Sequence, residues 1–175
     1  CQAPKGKDLG TRDLHIAEIP DSMSFAEAAT LPVGALTAKM LLQELGLKQG
    51  SWVLVWGASS SVGYYVIQLA VKLGLKPIAV ASEKHQAMLK ELGAAGFVDY
   101  RNNNVAIKVK ELIGNDKLNG AVDCIGGEPS KTCAGLLVSL GDDASFAPKV
   151  VASVTGLPES PAGVKFISVM LGLHM

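Results

Sequence analysis

Charge is scarce in this chain and has no net sign. Lys plus Arg (16) cancel Asp plus Glu (16) over 175 residues, and charged residues make up only 18%. A chain without a global field does not gather nucleic acid or an anionic membrane surface, so any anion it binds must be met locally. Cysteine is scarce as well: Cys1, Cys124 and Cys133 show neither paired nor metal-type spacing. Cys124 and Cys133 sit among apolar and small neighbours, which reads as buried hydrophobes in a reducing compartment. No apolar run reaches membrane-spanning length, because Gln68 and Lys72 interrupt the best stretch. The opening Cys-Gln-Ala-Pro-Lys-Gly-Lys-Asp lacks the apolar centre of a secretory signal. The expectation is a cytoplasmic protein with neither nucleic-acid nor membrane partners.

What is abundant is apolar sequence, at 49% of residues, and it comes in a rhythm. Residues 1–24 read as loop plus a weakly alternating edge strand, Leu14 to Ile19. Ser24-Phe-Ala-Glu27 is a capping box opening an alanine-rich helix, which is expected to break at Pro32 and resume from Ala35 to Leu45. Short apolar runs then alternate with helical stretches. Strands are expected at Trp52–Trp56, Ile78–Ala81, Phe97–Asp99, Ala121–Cys124, Val150–Val154 and Lys165–Leu171. Helices are expected at Val62–Leu73, His85–Leu92, Val105–Ile113 and Ser130–Leu140. Such alternation predicts right-handed βαβ units and an α/β, doubly wound parallel sheet over residues 25–175.

The turn after the first strand, Gly57-Ala-Ser-Ser-Ser-Val-Gly63, has the small residues that let a helix N-terminus approach a pyrophosphate. The dinucleotide fingerprint G-x-G-x-x-G is degraded there: only its last glycine, Gly63, remains, and Ser60, Ser61 and Val62 stand in the approach. An ordinary tight strand-to-helix connection would use the same residues. Its place after the first strand of a βαβ series favours binding. The second strand ends in Ser82, not in the carboxylate that holds the ribose of NAD; Lys84 follows, and Tyr100-Arg101 ends the next strand. These residues fit the extra phosphate of NADP(H), although Glu83 keeps NAD open and isolated Lys84 or Arg101 could be plain surface charge.

Four segments together carry a resemblance: Ala28 to Ala38, Gly57 to Gly63, Ser82 to Ala94 and Val98 to Arg101. The chain resembles the medium-chain dehydrogenase/reductases, in the zinc-independent branch of quinone oxidoreductases and trans-enoyl reductases. It departs from the pattern at Ala95, where that family often has aspartate. The resemblance implies a Rossmann-type dinucleotide-binding domain with NADP(H) and places Thr37 near the nicotinamide. Ser82, Lys84 and Tyr100 would lie on the 2′-phosphate, and Cys124 and Ile125 beside the nicotinamide ribose. For Thr37, a hydroxyl bonded back to its own helix turn accounts for the residue equally well. The resemblance also implies an absent catalytic barrel domain before this region, leaving only its exit in residues 1–24, and an absent last helix beyond Met175. Zinc-dependent relatives have a ligand cysteine where this chain has Val33, so no metal is expected.

The leading expectation is an NADPH-dependent reductase passing hydride to an activated C=C or a quinone as its small-molecule substrate. Catalytic residues are not identifiable: neither a carboxylate pair nor a Cys–His couple can be assembled. The alternative is a non-catalytic NADP(H)-binding module or redox sensor of the same fold. Short-chain dehydrogenase chemistry is excluded, because Tyr64, Tyr65 and Tyr100 all lack lysine four positions on. The apolar last strand is expected to offer an edge for a homodimer.

Overall fold

The computed structural model describes residues 18–101, 104–141, 149–155 and 163–169. Helix α1 (Phe25–Leu45) leads into β1 (Trp52–Trp56), α2 (Ser61–Lys72) and β2 (Lys76–Ala81). A 3₁₀ turn at Glu83–His85 precedes α3 (Gln86–Glu91), β3 (Gly96–Asp99), α4 (Val105–Ile113) and β4 (Leu118–Asp123). Then come α5 (Glu128–Leu140), β5 (Lys149–Ser153) and β6 (Val164–Ser168). All strand pairings are parallel, in the order β3-β2-β1-β4-β5-β6. The order reverses between β1 and β4, and a crevice is expected outside the carboxyl ends of strands at such a switch point.

Both faces of the sheet are covered, which explains strands without polar alternation. Val53 and Val55 of β1 point to the layer of α1, α2 and α3, and Leu54 points to the layer of α4 and α5. β4 carries one irregularity: Trp52 pairs with Leu118 but Val53 pairs with Gly120. The extra residue, Asn119, accepts the Trp52 N–H on its Oδ1 at 2.8 Å. The bulge puts Leu118 and Ala121 in the same α4–α5 layer despite their odd spacing. Nearby, Asp116 accepts the Trp52 indole N–H (2.8 Å) and pairs with Lys76, whose ammonium lies over the indole ring.

Three sequence expectations are corrected. The first helix does not break at Pro32; it runs unbroken, opened by the expected Ser24–Glu27 capping box and closed by left-handed Gly46. Pro32 is exposed, while Ala38, Leu41, Leu42 and Leu45 anchor the second half in the core. Unbroken, α1 has the length and apolar composition to cross a membrane, unlike the shorter pieces expected from sequence, yet its second half is a core helix of this domain. The helix expected from His85 is split, beginning as 3₁₀ turn and continuing as α3. Glu18 and Ile19 belong to no strand, and positions 14–17 and 170–171 of the expected first and last strands lie outside the described residues.

Leu54 is fully buried between β2 and β4, at the centre of the α4–α5 layer. Leu54→Ala should cost about 2–5 kcal/mol of unfolding free energy, read as a lower urea midpoint with unchanged slope.

Candidate functional site

The carboxyl ends of β1, β2, β3 and β4 bring three small clusters to one edge of the sheet. The first is the turn into α2. Gly57 has φ 74°, a conformation that favours glycine, and the N–H groups of Gly57 and Ala58 both donate to the Val80 carbonyl of β2. This doubled bond draws the turn back over the sheet. Gly63 makes the closest approach: a Cβ there would lie 2.3 Å from the Gly57 carbonyl oxygen and 2.8 Å from the Ala58 Cα. Only glycine allows helix and turn to pack so closely. Ser60 is the N-cap, its Oγ accepting the Gly63 N–H at 3.1 Å. The Ser61 and Val62 N–H groups therefore open the helix without intrahelical acceptors. Ser60, expected in the phosphate approach, thus also caps the helix through its oxygen, which leaves the O–H as a donor.

Helix α1 passes this mouth at Gly34, where a Cβ would lie 2.8 Å from the Tyr65 ring and 3.2 Å from the Ser61 Oγ. The Tyr65 hydroxyl meets the Thr30 Oγ1 at 3.1 Å, fastening the two helices. Thr37 lies one turn farther along α1 and is buried.

The second cluster joins the ends of β2 and β3. Ala81 pairs with Asp99, and the Tyr100 N–H donates to the Ala81 carbonyl. Ser82, Lys84 and Tyr100 thus share a corner, as the sequence expected. Ser82 begins the 3₁₀ turn without a side-chain cap bond, Lys84 forms no ion pair with a described residue, and Tyr100 is half-exposed. Arg101 is not free: its guanidinium grips Asp99 at 2.6 Å and its N–H donates to the same carboxylate. The guanidinium beside Asp99 holds that carboxyl down at about 2.

The third cluster follows β4, and there sequence reasoning missed a residue. Asp123 is fully buried; its carboxylate accepts the N–H groups of Ile125 (2.9 Å) and Gly126 (3.0 Å) and the Ser130 hydroxyl. It shapes the loop that carries Cys124 and Ile125. A carboxylate ending an apolar strand just before Gly126-Gly127 was the available signal. Ile125 lies across the first turn, since a Cβ on Gly57 would come within 2.7 Å of its Cδ1. The Cys124 thiol meets the Ser60 hydroxyl, linking first and third clusters. Burial, with the Asp123 charge adding to it, pushes the Cys124 thiol up to about 12, and burial pushes Cys133 well up too. Neither is a nucleophile near neutral pH. Among the described residues no group of three or more His, Cys, Asp or Glu could hold a metal ion, and Val33 is an exposed residue of α1.

Iodoacetamide at pH 7.5 should leave Cys124 and Cys133 unmodified in the folded chain and label both after unfolding in urea, as peptide mapping would read. Stability from the protonated Cys124 thiol is intact below the ordinary value of 9.0 and is lost as pH climbs from there toward about 12.

The family model described as zinc-binding dehydrogenase matches residues 61–164. A trans-enoyl reductase of Aspergillus japonicus, himH, is 36% identical, with 73% of this chain and 39% of that protein covered. A quinone oxidoreductase-like protein 2 homolog of Nematostella vectensis is 30% identical, with 78% of this chain and 40% of that protein covered. Among solved structures, a quinone oxidoreductase of Pseudomonas syringae pv. Tomato DC3000 superposes with a TM-score of 0.64 at 30% identity, covering 89% of this chain and 45% of that one. The chain thus spans less than half the length of the relatives it matches. With its β3-β2-β1-β4-β5-β6 sheet, it belongs to the zinc-binding dehydrogenase family and, through it, to the medium-chain dehydrogenase/reductase superfamily.

Proposed function

We propose that this chain is the NADP(H)-binding part of a reductase that transfers hydride to an activated C=C or a quinone. The observation that carries the reading is the cradle at Gly63. No side chain fits between the helix and the turn, and the Ser61 and Val62 N–H groups open at the carboxyl edge of the sheet, as a diphosphate requires. The corner of Ser82, Lys84 and Tyr100 supplies a hydroxyl, a cation and a phenol where an NAD reader would have a strand-end carboxylate.

In this assignment the N–H groups of Ser61 and Val62 hold the diphosphate against the bare backbone of Gly63. Ser82, Lys84 and Tyr100 hold the 2′-phosphate. Cys124 and Ile125, set by Asp123, flank the nicotinamide ribose, with Thr37 near the ring. The bound nicotinamide supplies the hydride; the chain orients it and keeps water away through Ile125 and the buried face of α1. The hydride acceptor follows the names of the relatives, a trans-enoyl reductase and quinone oxidoreductases.

A binding module without turnover is the competing reading. It draws on the protonated Cys124 and on Asp123 being used by its own loop, which leaves this mouth no described carboxyl or thiol free to move a proton. β6 stands at the sheet edge with β5 as its described neighbour, which supports pairing with a second copy. The compartment proposed is the cytoplasm.

Fluorescence titration should give tighter binding of NADPH than NADH, and Lys84→Ala or Tyr100→Phe should remove most of that difference. Each lost charge-assisted or hydroxyl contact should cost about 1.5–3 kcal/mol; equal affinities in the unsubstituted chain would reverse the assignment. With the full-length protein, NADPH should be oxidised in the presence of an enoyl thioester or a quinone; tight binding without turnover across both panels would favour the module.

A further inference from the structure

The corner proposed for the 2′-phosphate is also crossed by a carboxylate that belongs to no ligand set. Asp99 ends β3 and ties together the two segments on which Ser82, Lys84 and Tyr100 stand. Its Oδ2 accepts the Glu83 N–H at 3.2 Å, and its Oδ1 accepts the Arg101 N–H at 2.9 Å. One side chain therefore fixes the turn after β2 against the end of β3. A carboxylate is well suited to this double task because it only accepts, on both oxygens.

That position carries a difficulty. A phosphate dianion seated between Ser82 and Tyr100 would meet the Asp99 charge, and the exposed Glu83 stands beside it. Arg101 resolves it. Its Nε and Nη2 both donate to Asp99, in a fork that lysine could not reproduce, and Glu83 also acts on the guanidinium. The corner then holds Glu83 and Asp99 against Lys84 and Arg101, a balance of charge with Lys84 left unpaired among the described residues.

We infer that Asp99 and Arg101 form a specificity-determining clasp. Asp99 positions the Ser82–Lys84 turn against Tyr100, and Arg101, without touching the phosphate, neutralises Asp99 so that a dianion is admitted. The inference rests on the NADP(H) reading of the same corner. It differs from that reading in giving the Arg101 charge to Asp99 and not to the ligand.

The test is a set of NADPH and NADH dissociation constants for the full chain and its variants, with thermal unfolding followed in parallel. Arg101→Ala leaves one uncompensated carboxylate and should weaken NADPH roughly tenfold while NADH stays within about twofold, as expected for one charge acting on a dianion at a protein surface. The double variant Asp99→Asn/Arg101→Ala removes that charge while the amide oxygen still accepts a backbone N–H, and it should regain the original NADPH-to-NADH ratio. Should the double variant fail to fold, Arg101→Lys keeps the charge without the fork and should retain most of the ratio. A double variant that stays weak for NADPH would overturn the inference by showing direct contact between Arg101 and phosphate. Equal losses for both cofactors in Arg101→Ala would overturn it in favour of a scaffold role. An original chain without NADPH preference overturns the cofactor reading and the clasp with it, whereas a preference untouched by Arg101→Ala overturns the clasp alone.

Discussion

The contact between Gly63 and the Gly57–Ala58 turn is the constraint on which the rest depends. With the Gly57 carbonyl 2.3 Å from where a Cβ would sit, α2 can be drawn onto the end of β1 only with a bare backbone at that point. This approach aims the first N–H groups of α2 along the sheet edge. It brings Ser60 within reach of Cys124 and leaves room for Ile125 across Gly57. Everything placed at the switch point between β1 and β4 is placed relative to that contact. The doubled bond to the Val80 carbonyl extends the same order to β2, two residues before Ser82.

Much of this was legible in sequence because the relevant signals are local or periodic. Apolar runs too short for helices gave the strands, and the exclusively parallel sheet follows from their alternation with helices. The α4 boundaries, Val105 and Ile113, coincide with the apolar period. Gly63 was legible as a close-packing glycine, and the Ser82–Lys84–Tyr100 corner as the ends of neighbouring strands. Pro32 was not, because local propensity argues for a break there, whereas burial of Leu41 and Leu45 downstream and solvent around the proline favour continuation.

The charged residues were harder to read. Asp99 and Asp123 both end strands, and in sequence they look alike. In three dimensions one is spent on a neighbouring turn and an arginine, the other on its own loop and a serine from α5. Their near neighbours differ, Arg101 after Asp99 and Gly126-Gly127 after Asp123, but the reach of Asp99 to the Glu83 N–H depends on the register that sets Ala81 opposite Asp99. The use of Ser60 as a helix cap was hidden for a related reason, since a serine ahead of a helix fits a cap and a ligand alike.

The bulge at Asn119 gives β4 two independent frames. Gly120 and Val122 face α1, Ala121 and Asp123 face the opposite layer, and continued alternation would have turned Leu118 toward α1; the extra residue turns it the other way. The entry end of the strand is thus free to serve the α4–α5 layer without dictating which way the exit end points. Sequence drift around Leu118 can therefore be absorbed where Asn119 loops out, and the carboxylate at Asp123 keeps its aim whatever happens at the far end of the same strand.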